Sequence, residues 1–360
     1  MSSSNDDTAA SAPISFVTPV GGFPTKADLI ASIVFASVYG LAVAAFLWRL
    51  INSRTRVILP VLCTFLVSVE QIVVFSLRAN AGAHPSSNLE RDDFFLFYEQ
   101  ASFGISFALL GIDLTSLLRV SLVNTTLADE RRGSFDQAER RKQYRRLSRL
   151  YRLLFAGVAV LGALAGVLHG AGVTPMVIIV ARYANAVFGA LLLGALVIHL
   201  QRLRGRVMYL PGSSADLLTV FAGLLLVVPL YRITIIHNRT PLLPPNNVPD
   251  ITNQNALSST LGKMCFYIFQ ITPEFIVAAT LSVLDIRRAF NTGIHGDWRW
   301  SDKDGIPRLR LGGAHIKGVG VDPKRHSKRM SLEDDDERTL YTGLLMPAHV
   351  HMQQWFAGQP

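Results

Sequence analysis

The chain has 360 residues, 50% hydrophobic and only 17% charged, with a formal net charge of +9. A soluble domain carries about 25% charged residues, and here the charge is crowded into short arginine-rich stretches between long apolar ones. That segregation excludes an ordinary soluble protein, and it assigns the basic excess to loops beside anionic lipid headgroups, with no call on nucleic acid as a partner.

Residues 1–28 read as a polar extracellular tail. They lack a basic stretch followed by an apolar one, so no cleaved signal peptide is expected and the first apolar segment acts as the insertion signal. A membrane-spanning helix needs about 20 mostly apolar residues. Seven runs qualify within 29–284, at about 29–48, 57–77, 94–118, 153–173, 176–200, 217–236 and 261–284. The expected fold is an all-α membrane protein, a seven-transmembrane helix bundle. "GAGVTP" joins spans four and five as a tight hairpin. Pro229 and Pro273 predict kinks in spans six and seven. Cys63 and Cys265 lie inside apolar runs and read as free thiols. Residues 285–360 read as a cytoplasmic tail, largely disordered, with Trp298 and Trp300 placed for the membrane interface.

Basic residues set the orientation. The loops after spans one, three and five hold fifteen Lys and Arg, nine of them between Arg131 and Arg152, against four on the other side. The N-terminus is therefore expected outside and the C-terminus in the cytoplasm. Asn238 then heads a glycosylation sequon on the outer side. The stretch "YRRLSRLYRLLF" is expected to extend span four along the inner interface.

Arg232 poses the functional question, because it sits within an apolar span one residue after Tyr231. A lone arginine so placed snorkels to the headgroups. Glu70, Glu99, Arg182, Lys263 and Glu274 also fall in the outer halves of their spans, and intramembrane charges normally face a bundle interior or a water cavity. Two arrangements remain open. One is an outward-facing ligand-binding cavity lined by these six residues with Tyr98, Tyr183, Tyr231 and Gln270. The other is a set of structural ion pairs that fix helix register. On the inner side, Asp113 and Arg119 close span three, and with Arg145 and Arg146 they form the expected cytoplasmic coupling surface. In the tail, Ser327 and Ser331 lie between a basic and an acidic block, where a phosphate would change the local pairing.

Enzyme chemistry finds no footing. His169 and His237 belong to one side and His199 to the other, so no metal set converges. "GISFA" lacks a second glycine and a partnered histidine for a serine nucleophile. Lys263 is too near the end of span seven for a retinal link, and no phosphate-binding loop is present. No enzyme activity, cofactor or metal is expected.

"TPVGGFPTKADL", "VEQIVVFSLRA", "LYRI" and "FYIFQITPEF" with the following "DIRRAFNTGIHGDWR" resemble a group of fungal seven-helix proteins described as G-protein-coupled-receptor-like. The resemblance covers most of the membrane region. It implies a receptor-like sensor in the plasma membrane, with a heterotrimeric G protein or a kinase as cytoplasmic partner and anionic lipid at the basic loops. A weaker resemblance, through Glu70 and Arg78, the "YR" of span six and the "FYxF…P" pattern of span seven, is to the fungal lipid-translocating exporter family. It implies a lipid or amphiphile transporter. The alanine/proline-rich third span of that family is absent, as are the E/DRY and NPxxY motifs and outer-loop disulfide of rhodopsin-type receptors.

Overall fold

The computed structural model describes residues 15–52, 57–83, 89–126, 137–170, 174–206, 212–236, 239–241, 257, 259–290 and 292. Seven helices among them are long and apolar enough to cross a membrane. They are α1 (Lys26–Ile51), α2 (Leu62–Ala83), α3 (Leu89–Thr125), α4 (Ala138–Gly170), α5 (Pro175–Arg206), α6 (Gly212–Ile235) and α7 (Thr260–Val283). A short helix α8 (Ile286–Phe290) follows. The three-residue strands β1 (Ser15–Val17) and β2 (Arg239–Pro241) pair antiparallel, with Phe16 opposite Thr240. The protein is thus an all-α, multi-pass integral membrane protein with one small ladder outside the helices.

Local chemistry explains the helix ends. Thr25 and Asp28 have the spacing of a capping box, and the Asp28 carboxylate accepts from the Thr25 backbone N–H at 2.9 Å. Pro60 lies in a 3₁₀ turn that leads into α2. Pro175 is the first residue of α5, where its missing N–H costs nothing. Ser259 caps α7 by accepting from the Gly262 N–H at 3.1 Å.

Each helix packs on its neighbour in the chain, and α7 closes the ring against α1 and α6. Helix α3 also touches α5, α6 and α7, so it is the axis of the bundle. Of the apolar stretch of α3, 78% is buried, against 22% for α1. The rim carries the lipid-facing side chains, among them Ile30, Leu41 and Trp48 on α1 and Leu153 on α4. Helices α3 and α4 meet through glycine. A Cβ on Gly104 would lie 2.8 Å from the Gly162 Cα, and one on Gly166 would lie 2.7 Å from the Ala101 Cβ. Small residues spaced four apart let membrane helices approach to backbone contact.

Four features differ from the hydropathy reading. Helix α3 runs 37 residues, well beyond 94–118, because the acidic "LERDD" stretch continues the helix instead of looping. Helix α4 starts at Ala138 and not near 153. Its basic first half does not merely lie on the interface, since Arg141 and Ser148 are buried and the Ser148 hydroxyl donates to the Thr115 carbonyl at 3.2 Å. Helix α7 is interrupted by a π-helical stretch, Tyr267–Ile271, directly before Pro273. Proline removes one backbone donor, and just before it the Tyr267 carbonyl accepts from both the backbone N–H and, at 2.9 Å, the hydroxyl of Thr272. Finally, residues 18–28 do not belong to a solvated tail: Thr18, Val20 and Asp28 are buried in the bundle. Asn238, Trp298, Trp300, Ser327 and Ser331 lie outside the described residues.

Candidate functional site

The site begins with the turn at "TPVGG". The Gly22 N–H donates to the Pro19 carbonyl at 3.0 Å, and Gly21 and Gly22 have φ of 85° and 65°. A β-turn with positive φ at its third position requires glycine there. A Cβ on Gly21 would also press on the Phe266 ring at 3.0 Å. This turn presents its carbonyls to the bundle, and side chains from four helices donate to them. Arg182 of α5 donates to Thr18 O at 2.8 Å, and Gln100 of α3 to Val20 O at 3.3 Å. Arg78 of α2 donates to Gly21 O at 2.7 Å, and Lys263 of α7 to Phe23 O at 3.2 Å. The Gln100 Oε1 closes the pairing by accepting from the Val20 N–H at 2.9 Å.

Beneath the turn lie two charge clusters. The first joins Asp28, Arg78, Glu99 and Lys263, from α1, α2, α3 and α7. Arg78 pairs with Glu99 and, at 3.3 Å, with Asp28; Lys263 pairs with the other Asp28 oxygen and donates to the Thr25 hydroxyl. The Tyr267 hydroxyl donates to Asp28 at 3.1 Å, and the Arg78 guanidinium stands 5.2 Å from the Phe266 ring centre. Two acids meet two bases, so this cluster is neutral. Side chains of both Arg78 and Glu99 are fully buried. Charges taken this far from water persist only when paired and hydrogen-bonded.

The second cluster lies around Arg232. Its Nε donates to Gln270 Oε1 at 3.0 Å and its Nη1 to Asn185 Oδ1 at 3.2 Å. Gln270 in turn donates to Glu274 at 2.8 Å, and the Ser106 hydroxyl donates to the other Glu274 oxygen at 2.6 Å. Asn185 is held by the carbonyls of Val158 and Gly104, at 2.8 and 3.2 Å. Gln270 falls within the π-helical stretch of α7, and Glu274 lies in the first α-helical turn after it.

Of the residues expected to line a cavity, Glu99 and Lys263 enter the first cluster, and Arg182, Arg232, Gln270 and Glu274 gather around the second. Glu70, Tyr98 and Tyr183 are half-buried and belong to neither cluster. Tyr231 turns to Phe269, with ring centres 6.1 Å apart. Between the arginines lies a cavity of about 20 Å³, lined by Val20, Gln100, Arg182, Asn185, Arg232 and the glycine contact of α3 with α4. Such a volume holds about one water-sized occupant. In this state the charges of the first cluster are consumed by one another, and the turn at 18–23 occupies the position expected for a ligand.

Sequence reasoning missed Asp28, Arg78, Gln100, Asn185 and Ser106. Asp28 was legible as a helix cap but not as an ion-pair partner. Arg78 read as a loop charge because it lies at the end of its apolar run. Asn185 follows Arg182 by three residues, which puts both on one helix face.

The opposite end is simpler. Asp113 turns to the start of α2. Its carboxylate accepts from the Thr64 N–H at 2.5 Å and the Thr64 hydroxyl at 2.7 Å, so a residue of α3 caps the start of α2. Cys63 N–H adds a longer contact of 3.4 Å. Arg49, expected among the loop charges, is buried and donates to the carbonyls of Leu281 and Ser282 at 2.6 and 3.1 Å, which ties α1 to the end of α7. Arg145 is half-buried and Arg146 exposed on α4. An Asp113→Ala variant is expected to lose about 1–2 kcal/mol, as for other lost caps, and Asp113→Asn is expected to recover part of it. Thermal unfolding of the detergent-solubilised protein checks this; an unchanged midpoint for Asp113→Ala refutes the capping role.

Fold and site define a multi-pass membrane protein whose buried charge clusters are roofed by its own N-terminal turn. No family model, curated protein or solved structure matches the chain.

Proposed function

We propose that the protein is a receptor-like sensor in a fungal plasma membrane, with the clustered end outside and the C-terminus in the cytoplasm. One observation carries the reading. Four helices and the turn at 18–23 are joined at that end by side-chain donors on backbone carbonyls and by buried ion pairs. A ligand with oxygen acceptors of its own competes for the same donors. Displacing the turn frees α2, α5 and α7 together, and α7 bends at its π-helical stretch. A ligand shifts such an equilibrium only through its different affinity for the two states, and donors that change acceptors supply that difference. The signal passes to a heterotrimeric G protein or a kinase through the basic cytoplasmic end, with Arg119, Arg145 and Arg146, and through the tail with Ser327 and Ser331. Anionic lipid steadies the basic loops.

Proximity labelling from the C-terminus in living cells tests this, comparing the full chain with one truncated after residue 290. A sensor gives G-protein or kinase components whose enrichment disappears on truncation. A labelled set that truncation does not change, together with lipid flux that survives it, assigns the protein instead to amphiphile transport.

A further inference from the structure

The groups around the cavity between Arg182 and Arg232 carry a charge surplus that the first cluster does not. Arginine stays protonated in any protein environment, so the second cluster holds two positive charges. Among the described residues it sets only Glu274 against them, and both Glu274 oxygens are already engaged, by Ser106 and Gln270. No carboxylate oxygen of the described residues reaches ion-pair distance of either arginine. Arg182 has only neutral acceptors, the Thr18 carbonyl and, at 3.3 Å, the Gln100 amide oxygen. Arg232 is 6% exposed, lines the cavity, and keeps its Nη2 buried without a hydrogen-bond partner. An unpartnered buried guanidinium donor is costly, and two like charges across a water-sized gap repel strongly at low dielectric.

We propose that this cavity is a site for one monovalent anion of halide size, chloride in the cell, held between Arg182 and Arg232. The anion takes the free Nη2 donor of Arg232, balances the single surplus charge, and screens the two guanidinium groups from each other. The glycine contact of α3 with α4 leaves room at the wall, and Val20 covers the site from the N-terminal turn. The occupant is small because the cavity is about 20 Å³. A phosphate or a larger carboxylate does not fit without displacing the turn. The site does not depend on the signalling role proposed above, since it serves the bundle whether the protein senses or transports.

The test uses the full chain in nanodiscs of phosphatidylcholine alone, so that no anionic headgroup is present. Thermal unfolding is followed at constant ionic strength while sodium gluconate is replaced by sodium chloride or sodium bromide. A saturable rise in the midpoint is expected, on the order of 5 °C, with bromide acting like chloride. The Gln100→Glu variant brings a carboxylate to Arg182 and supplies the missing charge from within. It gives up the donor to the Val20 carbonyl, so its own gluconate midpoint is the reference, and against that it is expected to lose most of its halide response. Arg182→Gln is expected to lose the response from the other direction, by removing the surplus charge. A wild-type midpoint that is the same in gluconate and chloride overturns the proposal and leaves a water in the cavity. An equal halide response in wild type and Gln100→Glu also overturns it, since the ion then acts elsewhere. Stabilisation by added phosphatidylglycerol without any halide effect overturns it in favour of a lipid headgroup.

Discussion

Replacing Arg78 by methionine is expected to cost about 3–5 kcal/mol, the range for removing one partner of a buried ion pair. In practice little of the variant should survive extraction as a monodisperse species. Arg78 binds Glu99, Asp28 and the Gly21 carbonyl at once, with no exposed surface. Its loss strands Glu99, whose Oε2 already has no partner, in a site that water does not reach. It also releases the N-terminal turn from α2. Lost packing and lost pairing are separated by a second variant, Arg78→Met with Glu99→Gln, which removes the stranded charge. The double variant should be more stable than the single one, because the penalty lies mainly in the unpaired carboxylate. Fluorescence-detected size exclusion followed by melting curves for wild type, both singles and the double completes the cycle. If Arg78→Met melts like wild type, or if the double is no better than the single, the quartet is not the clamp at this end.

The seven helices were legible because bilayer thickness imposes a length that apolar runs satisfy or fail. Their arrangement was not. Nothing in hydropathy marks α3 as the axis, since its apolar run resembles the others; the mark is its content of small and hydroxylated residues, Ala101, Ser102, Gly104, Ser106 and Gly111, which is a packing property. Depth reasoning found Glu99, Arg182, Arg232, Lys263 and Glu274, because a charge inside an apolar run is visible in one dimension. It did not find their partners. Lys263 goes to Asp28 and Arg182 to a carbonyl and an amide, not to glutamates. The cause lies outside the spans. The turn at 18–23 folds back into the bundle, so residues at a span's edge, such as Arg78 and Asp28, are as buried as those within it. Two glycines before a capping box show that a turn precedes the helix, but they do not show what the turn will cover.

The closeness of α3 and α4 gives the second large effect. Gly104→Ala and Gly162→Ala each place a methyl group where the facing helix has backbone: the Gly104 Cβ would lie 2.8 Å from both the Cα and the carbonyl oxygen of Gly162. Backbone cannot rotate aside as a side chain does, so the helices must part. Overpacking of this kind costs about 1–3 kcal/mol per site, and Gly104→Val should exceed Gly104→Ala. Helical glycine also provides its own control. Gly157, Gly194 and Gly223 have nothing within 4 Å of an added Cβ, so alanine there should be neutral or stabilise by about 0.5–1 kcal/mol through its better helix propensity. Opposite signs for the two groups are therefore expected from the same chemical change. The separation reaches the site as well. The Gly104 carbonyl accepts from Asn185, which in turn accepts from Arg232, so moving α3 from α4 loosens the orientation of Arg232 without touching it. Melting curves of the five alanine variants, measured side by side in one detergent, decide the matter. Uniform destabilisation at all five positions would show that an added methyl group costs stability wherever it is placed and remove the close contact as its cause.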